Sequence, residues 1–423
     1  MAILKVGKSE LRGTVLPPPN KSITHRVFFN STLVPGGESR VSNALLSMDT
    51  IATKNACEAF GAEFIEDGNS IRIIGPKSLV SKQGQINAEN SGTTIRFSSA
   101  IAALLPSRTE LSGDASLRRR PMQDELDALQ RGGAVCTSTD GMPPVTVRGK
   151  FTKNKASING NKSSQFVSAL ATIAPKIPGG LDILIKRGLV SGPYLDTTIG
   201  VQEEYGIRVE TIKEHKEYMI PEQEYKPTDI SVPIDYSGVA LLLSCAILVG
   251  SGEMKIELPP DKIVQADKKI FDHLKELGVK VKNGTAASVE APEYLEGGTF
   301  DLSETPDLIP PMAILGLKSK KPIEMVNIGH AKYKETDRIV VPANELRKLG
   351  LTTRYDQTSL SVGLGGKLKG AALDARGDHR LFMAFFEAAM YVGNCTVSGQ
   401  ESVGVSYPGY LRAMESLGAV FRN

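Results

Sequence analysis

Six times along this chain a segment of helical character runs into a glycine and then into a short alternating run. The copies are Phe60-Gly61-Ala62-Glu63-Phe64, Gly132-Gly133-Ala134-Val135-Cys136, Tyr205-Gly206-Ile207-Arg208-Val209, Leu277-Gly278-Val279-Lys280-Val281, Leu349-Gly350-Leu351-Thr352-Thr353 and Leu417-Gly418-Ala419-Val420-Phe421. Their glycines (61, 133, 206, 278, 350 and 418) stand 72, 73, 72, 72 and 68 residues apart. Glycine suits this place because a helix commonly ends on a residue in the left-handed conformation, which a Cβ disfavours. The alternation that follows has the two-residue period of a strand. Two copies continue through turn residues into a second strand: Glu66-Asp67-Gly68-Asn69 before Ile71-Arg72-Ile73-Ile74, and Asp140-Gly141 before Val145-Thr146-Val147. Each copy thus predicts helix, strand, turn, strand. A period near 70 exceeds that of the usual solenoid repeats and is long enough for a small α/β unit.

At roughly 100–200 residues per domain, the 423 residues make two or three domains, and six units divide naturally as three plus three. The proline run Leu16-Pro17-Pro18-Pro19 resists both helix and central strand and marks one crossing point. The polar stretch Pro221 to Pro233 marks another. The division is about 19–232 and 233–423, with residues 1–16 open to either.

Composition is that of an ordinary globular chain, and the net charge is +3. The one dense basic run, Arg118-Arg119-Arg120, has no interleaved aromatics, which argues against a nucleic-acid groove. The longest apolar run, Val239 to Gly250, is twelve residues, short of the ~20 a membrane helix needs. Met1 to Val6 reads as a first strand rather than a signal peptide. Cys57, Cys136, Cys245 and Cys395 lie in apolar stretches and read as buried free thiols in a reducing cytoplasm. No metal-ligand spacing occurs. The glycine-rich stretch Ser361 to Leu368 lacks the first glycine and the hydroxyl of a P-loop and reads as a turn. There is no nucleophile elbow and no zinc-protease pattern.

Chemistry concentrates in six polar clusters. Asn20-Lys21-Ser22-Ile23-Thr24-His25-Arg26 follows the proline run at a helix start. Asn90-Ser91-Gly92-Thr93-Thr94-Ile95-Arg96 precedes an apolar helix. Arg118-Arg119-Arg120 precedes Pro121 and offers forks for carboxylate or phosphate. Ser163-Ser164-Gln165 opens onto Phe166 to Ile173. Lys334-Glu335-Thr336-Asp337-Arg338, with Asp307 upstream, sets two cations four apart, one side of a helical turn that could grip one anion. Gly377-Asp378-His379-Arg380 enters the helix at Leu381. Taken singly, most could be an ordinary cap or a solvated face, while the arginine run and Arg380 favour an anion. Together they describe helix N-termini, which favour anions, gathered on one cleft with carboxylates available for proton transfer.

These stretches, with Ser191-Gly192-Pro193-Tyr194 and Pro306-Asp307, resemble the enolpyruvyl transferases, most closely the branch acting on shikimate 3-phosphate. The resemblance implies an α/β fold of two domains, each of three βαβαββ units, an inside-out α/β barrel. It joins residues 1–18 to 233–423 as one domain, leaves 19–232 as the other, and puts the active site in the cleft between them. It implies transfer of the enolpyruvyl group of phosphoenolpyruvate to the 5-hydroxyl of shikimate 3-phosphate, with phosphate released by addition and elimination, a step of the shikimate pathway to chorismate. No cofactor or metal is expected, nor a nucleic-acid or membrane partner; a cytoplasmic monomer is expected. By motif, Lys21, Gly92, Arg120, Gln165, Arg338 and Arg380 would meet phosphoenolpyruvate. Lys21, Ser22, Arg26, Ser163, Ser164, Gln165, Ser191, Tyr194, Asp307 and Lys334 would hold shikimate 3-phosphate. Lys21, Asp307 and Glu335 would be catalytic, with Glu335 the acid toward carbon, Lys21 assisting it, and Asp307 the base at the hydroxyl. Three positions depart from the common pattern: Val405 stands where a lysine is frequent, His330 where asparagine is, and Phe97 where proline is. The alternatives are a UDP-N-acetylglucosamine enolpyruvyl transferase, whose reactive cysteine is missing from Leu111 to Leu117, and a non-catalytic anion-binding protein, which would not need Lys21, Asp307 and Glu335. An RNA 3′-phosphate cyclase would need ATP handling that is not seen.

Overall fold

All six repeat glycines take the left-handed conformation. Their φ values are +107° at Gly61, +114° at Gly133, +75° at Gly206, +83° at Gly278, +100° at Gly350 and +106° at Gly418. Each follows a helix, and the apolar residue before it is buried in five of the six copies. The requirement is steric as well as conformational at Gly350, where a Cβ would come within 2.7 Å of the Lys367 carbonyl oxygen. Gly350→Ala is therefore expected to lower unfolding stability by about 1–3 kcal/mol. Gly366→Ala serves as the control, because its Cβ would meet nothing within 4 Å. Urea midpoints check both; equal midpoints would show that the glycine is dispensable.

The structure, a computed structural model, describes residues 3–423; Met1 and Ala2 of the expected first strand lie outside them. Among the described residues the strands form six four-stranded sheets of one topology. The repeat over residues 85–148 illustrates it. Strands Gln85–Asn87, Thr109–Ser112, Val135–Thr139 and Met142–Arg148 alternate with helices Gly92–Ala102 and Gln123–Gly132 before the closing hairpin. The sheet order is first, second, fourth, third; the first two strands are parallel and the remaining pairs antiparallel. The hairpin turns on Asp140 and Gly141, both with positive φ, the backbone that matches strand twist in a two-residue loop.

Three sheets borrow a strand from far along the chain; in one of them Leu11–Val15 pairs parallel with Gly250–Glu257. Ile3–Val6 pairs antiparallel with Cys395–Ser398 and Phe421–Arg422, completing the last repeat. Asp229–Ser231 pairs parallel with Glu38–Ser42, supplying the first strand of the repeat that ends at Ile74.

The chain divides into two compact units. One, here the C-terminal unit, comprises the N-terminal segment through Pro18, Ile234–Asp261 and Ala266–Asn423; the other, the central unit, comprises Pro19–Pro233 with Lys262–Gln265. Each has its own apolar core. In the central unit the helix Gly92–Ala102 packs on both Lys21–Thr32 and Ser164–Ile173. In the C-terminal unit Tyr236–Val249, Ile309–Leu315 and His379–Val392 pack on one another. Every residue of Tyr236–Val249 is buried, so the long apolar run is a core helix, apolar all round because it is surrounded. Strands of the sheets alternate buried and exposed residues, as in Ile3–Val6 and Lys155–Gly160, the pattern of a sheet with one face toward the core. Among the described residues no helix is long and apolar enough to cross a membrane. All four cysteines are buried and unbridged. The stretch Ser361 to Leu368 is half strand: Leu360–Leu364 pairs with Leu351–Tyr355, and the turn begins only after it.

Candidate active site

The inner helices carry the polar clusters at their N-termini, because each begins where a sheet strand ends. In the central unit Asn20 caps Lys21–Thr32, accepting a hydrogen bond from the Ile23 amide. Ser91 caps Gly92–Ala102, and Ser163 caps Ser164–Ile173. The clusters are therefore caps, as their sequence allows, and the residues beside each cap face a shared set of side chains.

Gly92 is the centre of that set. A Cβ there would lie 3.2 Å from Arg120 Nη1, 3.3 Å from Arg96 Nη1 and 3.5 Å from Gln165 Oε1. Its φ is not in the left-handed region, so glycine is required for space and not for backbone conformation. Arg120 is buried; its Nη2 donates to Asn90 Oδ1 at 2.8 Å, and its Nε has no hydrogen-bond partner. Arg96 donates to Gln165 Oε1 and lies over the Phe166 ring at 4.9 Å. It also reaches Ser163 Oγ at 3.4 Å, while Gln165 Nε2 donates to Thr93 Oγ1 at 3.0 Å. Ser164 is buried beside them.

Lys21 Nζ lies 3.0 Å from Asp49 Oδ2, and Ser22 is half-buried next to it. Arg26 is anchored within the central unit. It is fully buried, and its three nitrogens donate to Thr198 Oγ1, the Ser22 carbonyl and the Tyr194 carbonyl at 2.7, 2.8 and 3.0 Å. Burial lowers its pKa to about 10. It thereby ties the helix of Lys21 to Pro193–Glu204, which starts beside Ser191 and Tyr194. Ser191 holds φ +53°, a strained conformation for a residue with a Cβ. Phe97 fills the space under Arg26, 5.5 Å from its guanidinium, and stacks on Phe29. His25 is buried neutral: burial first, then Lys21 and Arg26, hold its pKa well below the usual value.

The C-terminal unit carries a second group, held by ion pairs. Arg338 is 1% exposed and meets three carboxylates: Asp307 at 2.7 Å, Glu335 at 2.6 Å and Asp378 at 2.8 Å. Asp307 also meets Arg380 at 2.9 Å and Lys334 at 3.6 Å. Asp378 caps His379–Val392 while holding Arg338, and Thr336 Oγ1 donates to it at 3.1 Å. Burial by itself would raise the Asp307 carboxyl, but Arg380, Lys334 and Arg338 outweigh it and hold the group well below the usual carboxylate range. Burial would weaken the Arg338 cation; Asp378, Glu335 and Asp307 overcome this and raise its pKa. Burial depresses the Lys334 ammonium, opposed chiefly by Asp307. His330 stays neutral near this group, with its pKa lowered to about 4 by burial and then by Lys334.

The segment Lys334 to Arg338 is not a helical turn: the helix begins at Val340, with Asp337 accepting from the Ile339 and Val340 amides. Lys334 and Arg338 do converge on one anion, and in this structure it is the Asp307 carboxylate. Val405 is buried in the short helical turn Gln400–Val405 and brings no charge. Among the described residues no group of three histidines, cysteines or acids is arranged to hold a metal ion.

Sequence reasoning gave no role to Asp49, Arg96, Glu125 or Asp378. Asp378 was signalled by the Gly377 to Arg380 cluster and by the preference for aspartate at a helix start. Arg96 closed the Asn90 cluster, but only packing brings it to Gln165. Glu125 left no signal; it is buried against Ser99 Oγ at 2.5 Å, and burial pushes its pKa to about 8.

A sequence profile described as EPSP synthase (3-phosphoshikimate 1-carboxyvinyltransferase) matches residues 6–414. The chain is 47% identical over 416 residues to the 3-phosphoshikimate 1-carboxyvinyltransferase of Nitrosopumilus maritimus, covering 98% of both chains. It is 38% identical to that of Methanocella arvoryzae, covering 99% of both. Among solved structures, the EPSP synthase of Acinetobacter baumannii superposes with a TM-score of 0.81 at 22% identity, covering 100% of this chain and 99% of that one. The enolpyruvyl transferase NikO of Streptomyces tendae gives 0.77 at 17% identity, covering 99% and 98%. The profile match and the two full-length relatives give one answer: the chain belongs to the EPSP synthase (3-phosphoshikimate 1-carboxyvinyltransferase) family.

Proposed function

We propose that this enzyme transfers the enolpyruvyl group of phosphoenolpyruvate to the 5-hydroxyl of shikimate 3-phosphate, releasing phosphate. Family membership gives the reaction class. The observation that supports its seat is the opening at Gly92, where two guanidinium groups and an amide face the space a side chain would fill. Arg120 there keeps donors for a ligand, and arginine forks match carboxylate and phosphate. In this reading Lys21, Gly92, Arg120, Gln165, Arg338 and Arg380 meet phosphoenolpyruvate. Ser22, Arg26, Ser163, Ser164, Gln165, Ser191, Tyr194, Asp307 and Lys334 hold shikimate 3-phosphate, with Lys21 reaching both.

The chemistry adds the 5-hydroxyl oxygen to C2 of phosphoenolpyruvate while its methylene carbon takes a proton, then expels phosphate as the methyl carbon gives a proton back. Glu335 is the acid toward carbon, with Lys21 assisting, and Asp307 accepts the hydroxyl proton. With three cations on it, Asp307 is a weak base. An incoming phosphate and carboxylate compete for Arg338, Arg380 and Lys334, and each cation drawn away raises the basicity of Asp307. The binding energy of the anions thereby prepares the base.

Phosphate release from phosphoenolpyruvate is expected to depend on shikimate 3-phosphate and to persist in a metal chelator, as measured by a coupled phosphate assay. Release that needs an added metal, or that proceeds equally well without shikimate 3-phosphate, would overturn this reading.

A further inference from the structure

Lys21 sits at the first position of its helix, on a long flexible stem, yet the proposed reaction needs its ammonium at one place. The structure supplies the missing constraint from another helix. Asp49, 4% exposed in the first turn of Met48–Ala59, puts Oδ2 at 3.0 Å from Lys21 Nζ. Its own backbone is flanked by two hydroxyls, because its carbonyl oxygen lies 3.4 Å from both Thr53 Oγ1 and Thr94 Oγ1. Those hydroxyls lie 2.6 Å apart. Thr53 Oγ1 in turn is 2.6 Å from His25 Nδ1, on the helix of Lys21. Thr94 Oγ1 donates to Ser91 Oγ at 2.6 Å, the cap of the helix that begins at Gly92.

A buried chain of hydroxyls thus joins the starts of three helices, and Asp49 is where it meets Lys21. An acidic residue in the first turn of a helix is ordinarily satisfied by the helix dipole and by water. Here the carboxylate is out of water and turned onto a lysine, where charge attraction is screened far less than at the surface.

We infer that Asp49 is a positioning residue for the reaction, holding the Lys21 ammonium on the side of the central unit that carries Gly92 and Arg120. The inference rests on the reading of Lys21 as a substrate-contacting group. Misplacing a reacting group by ~1 Å lowers rate on the order of 10²-fold, and that is the loss in kcat/KM expected for Asp49→Asn. Asp49→Glu, which restores the charge one methylene farther out, is expected to recover part of it.

A cycle with Lys21 separates aiming from mere structural support. On a Lys21→Ala background Asp49→Asn is expected to change kcat/KM by less than about 3-fold, since no ammonium remains to be aimed. Calorimetric affinity for shikimate 3-phosphate, which needs no turnover, is read in the same four proteins and should show the same non-additivity. If Asp49→Asn does not fold, Asp49→Glu takes its place in the cycle. Losses that multiply across the two sites, or near-normal Asp49→Asn beside an inactive Lys21→Ala, would overturn the inference while leaving the proposed function intact. A Lys21→Ala enzyme of near-normal activity would instead remove the role of Lys21, and the inference with it.

Discussion

Glu335→Gln is expected to lower kcat by on the order of 10²–10⁴-fold, the range a positioned general acid supplies, while the affinity for shikimate 3-phosphate stays within a few-fold. Glutamine keeps the shape of the side chain and can still accept a hydrogen bond from Arg338 Nη2, which now lies 2.6 Å from the carboxylate. It cannot deliver a proton. The fold should survive, because Arg338 retains Asp307 and Asp378. Steady-state rates and calorimetric binding on one preparation check this. Near-normal turnover would move the acid to another group. A collapse of binding would make Glu335 a structural anchor of Arg338.

Removing Arg338 is expected to have the largest effect on stability. Three carboxylates depend on it, and taking one partner from a buried ion cluster typically costs about 3–5 kcal/mol, because the remaining charges are left without compensation. Arg338→Met should therefore lower the thermal midpoint markedly at pH 7–8. Arg338→Lys should rescue little, since an ammonium cannot serve Asp307, Glu335 and Asp378 at their separate angles.

The pH dependence has a defined sign. In the parent enzyme the Asp307 carboxyl is depressed when folded. Its contribution is fully present above the ordinary aspartate range and is lost as pH falls through and below that range. In Arg338→Met the remaining carboxylates repel one another, so protonation relieves them and the gap between variant and parent should narrow from pH 7 toward pH 4. Thermal melts across that range measure it. A gap that stays constant would mean that Arg338 acts through packing and not through charge.

The sequence foretold some of the site better than it explained it. The cluster Lys334 to Arg338 points to cations that share an anion, but its alternating charges do not tell whether that anion is a ligand or a neighbour. The structure shows them on Asp307, in a bent segment that precedes the helix rather than on a helical turn. Arg26 and Arg120 look alike in sequence as arginines in polar clusters. Arg26 turns Nε and both terminal nitrogens to Thr198, Ser22 and Tyr194, whereas Arg120 Nε has no hydrogen-bond partner. That difference arises from residues up to 172 positions away and leaves no local trace. Asp49 is the sharper case, because its pattern is that of any acidic helix start.

What the sequence by itself determined is the repeat. Each copy must reverse from helix to strand, and only glycine enters the left-handed region there without steric conflict, so the demand is written at Gly61, Gly133, Gly206, Gly278, Gly350 and Gly418. Caps are equally legible, because Asn20, Ser91 and Ser163 satisfy amides two or three residues away. Tertiary structure decided which strand completes which sheet. Ile3–Val6 and Asp229–Ser231 have no local reason to prefer one sheet over another; Ile3–Val6 enters between Cys395–Ser398 and Phe421–Arg422, and Asp229–Ser231 joins the edge of Glu38–Ser42. It also decided which charges are paired. Coulomb attraction and desolvation depend on distance and burial in space, and neither is a property of neighbours along the chain.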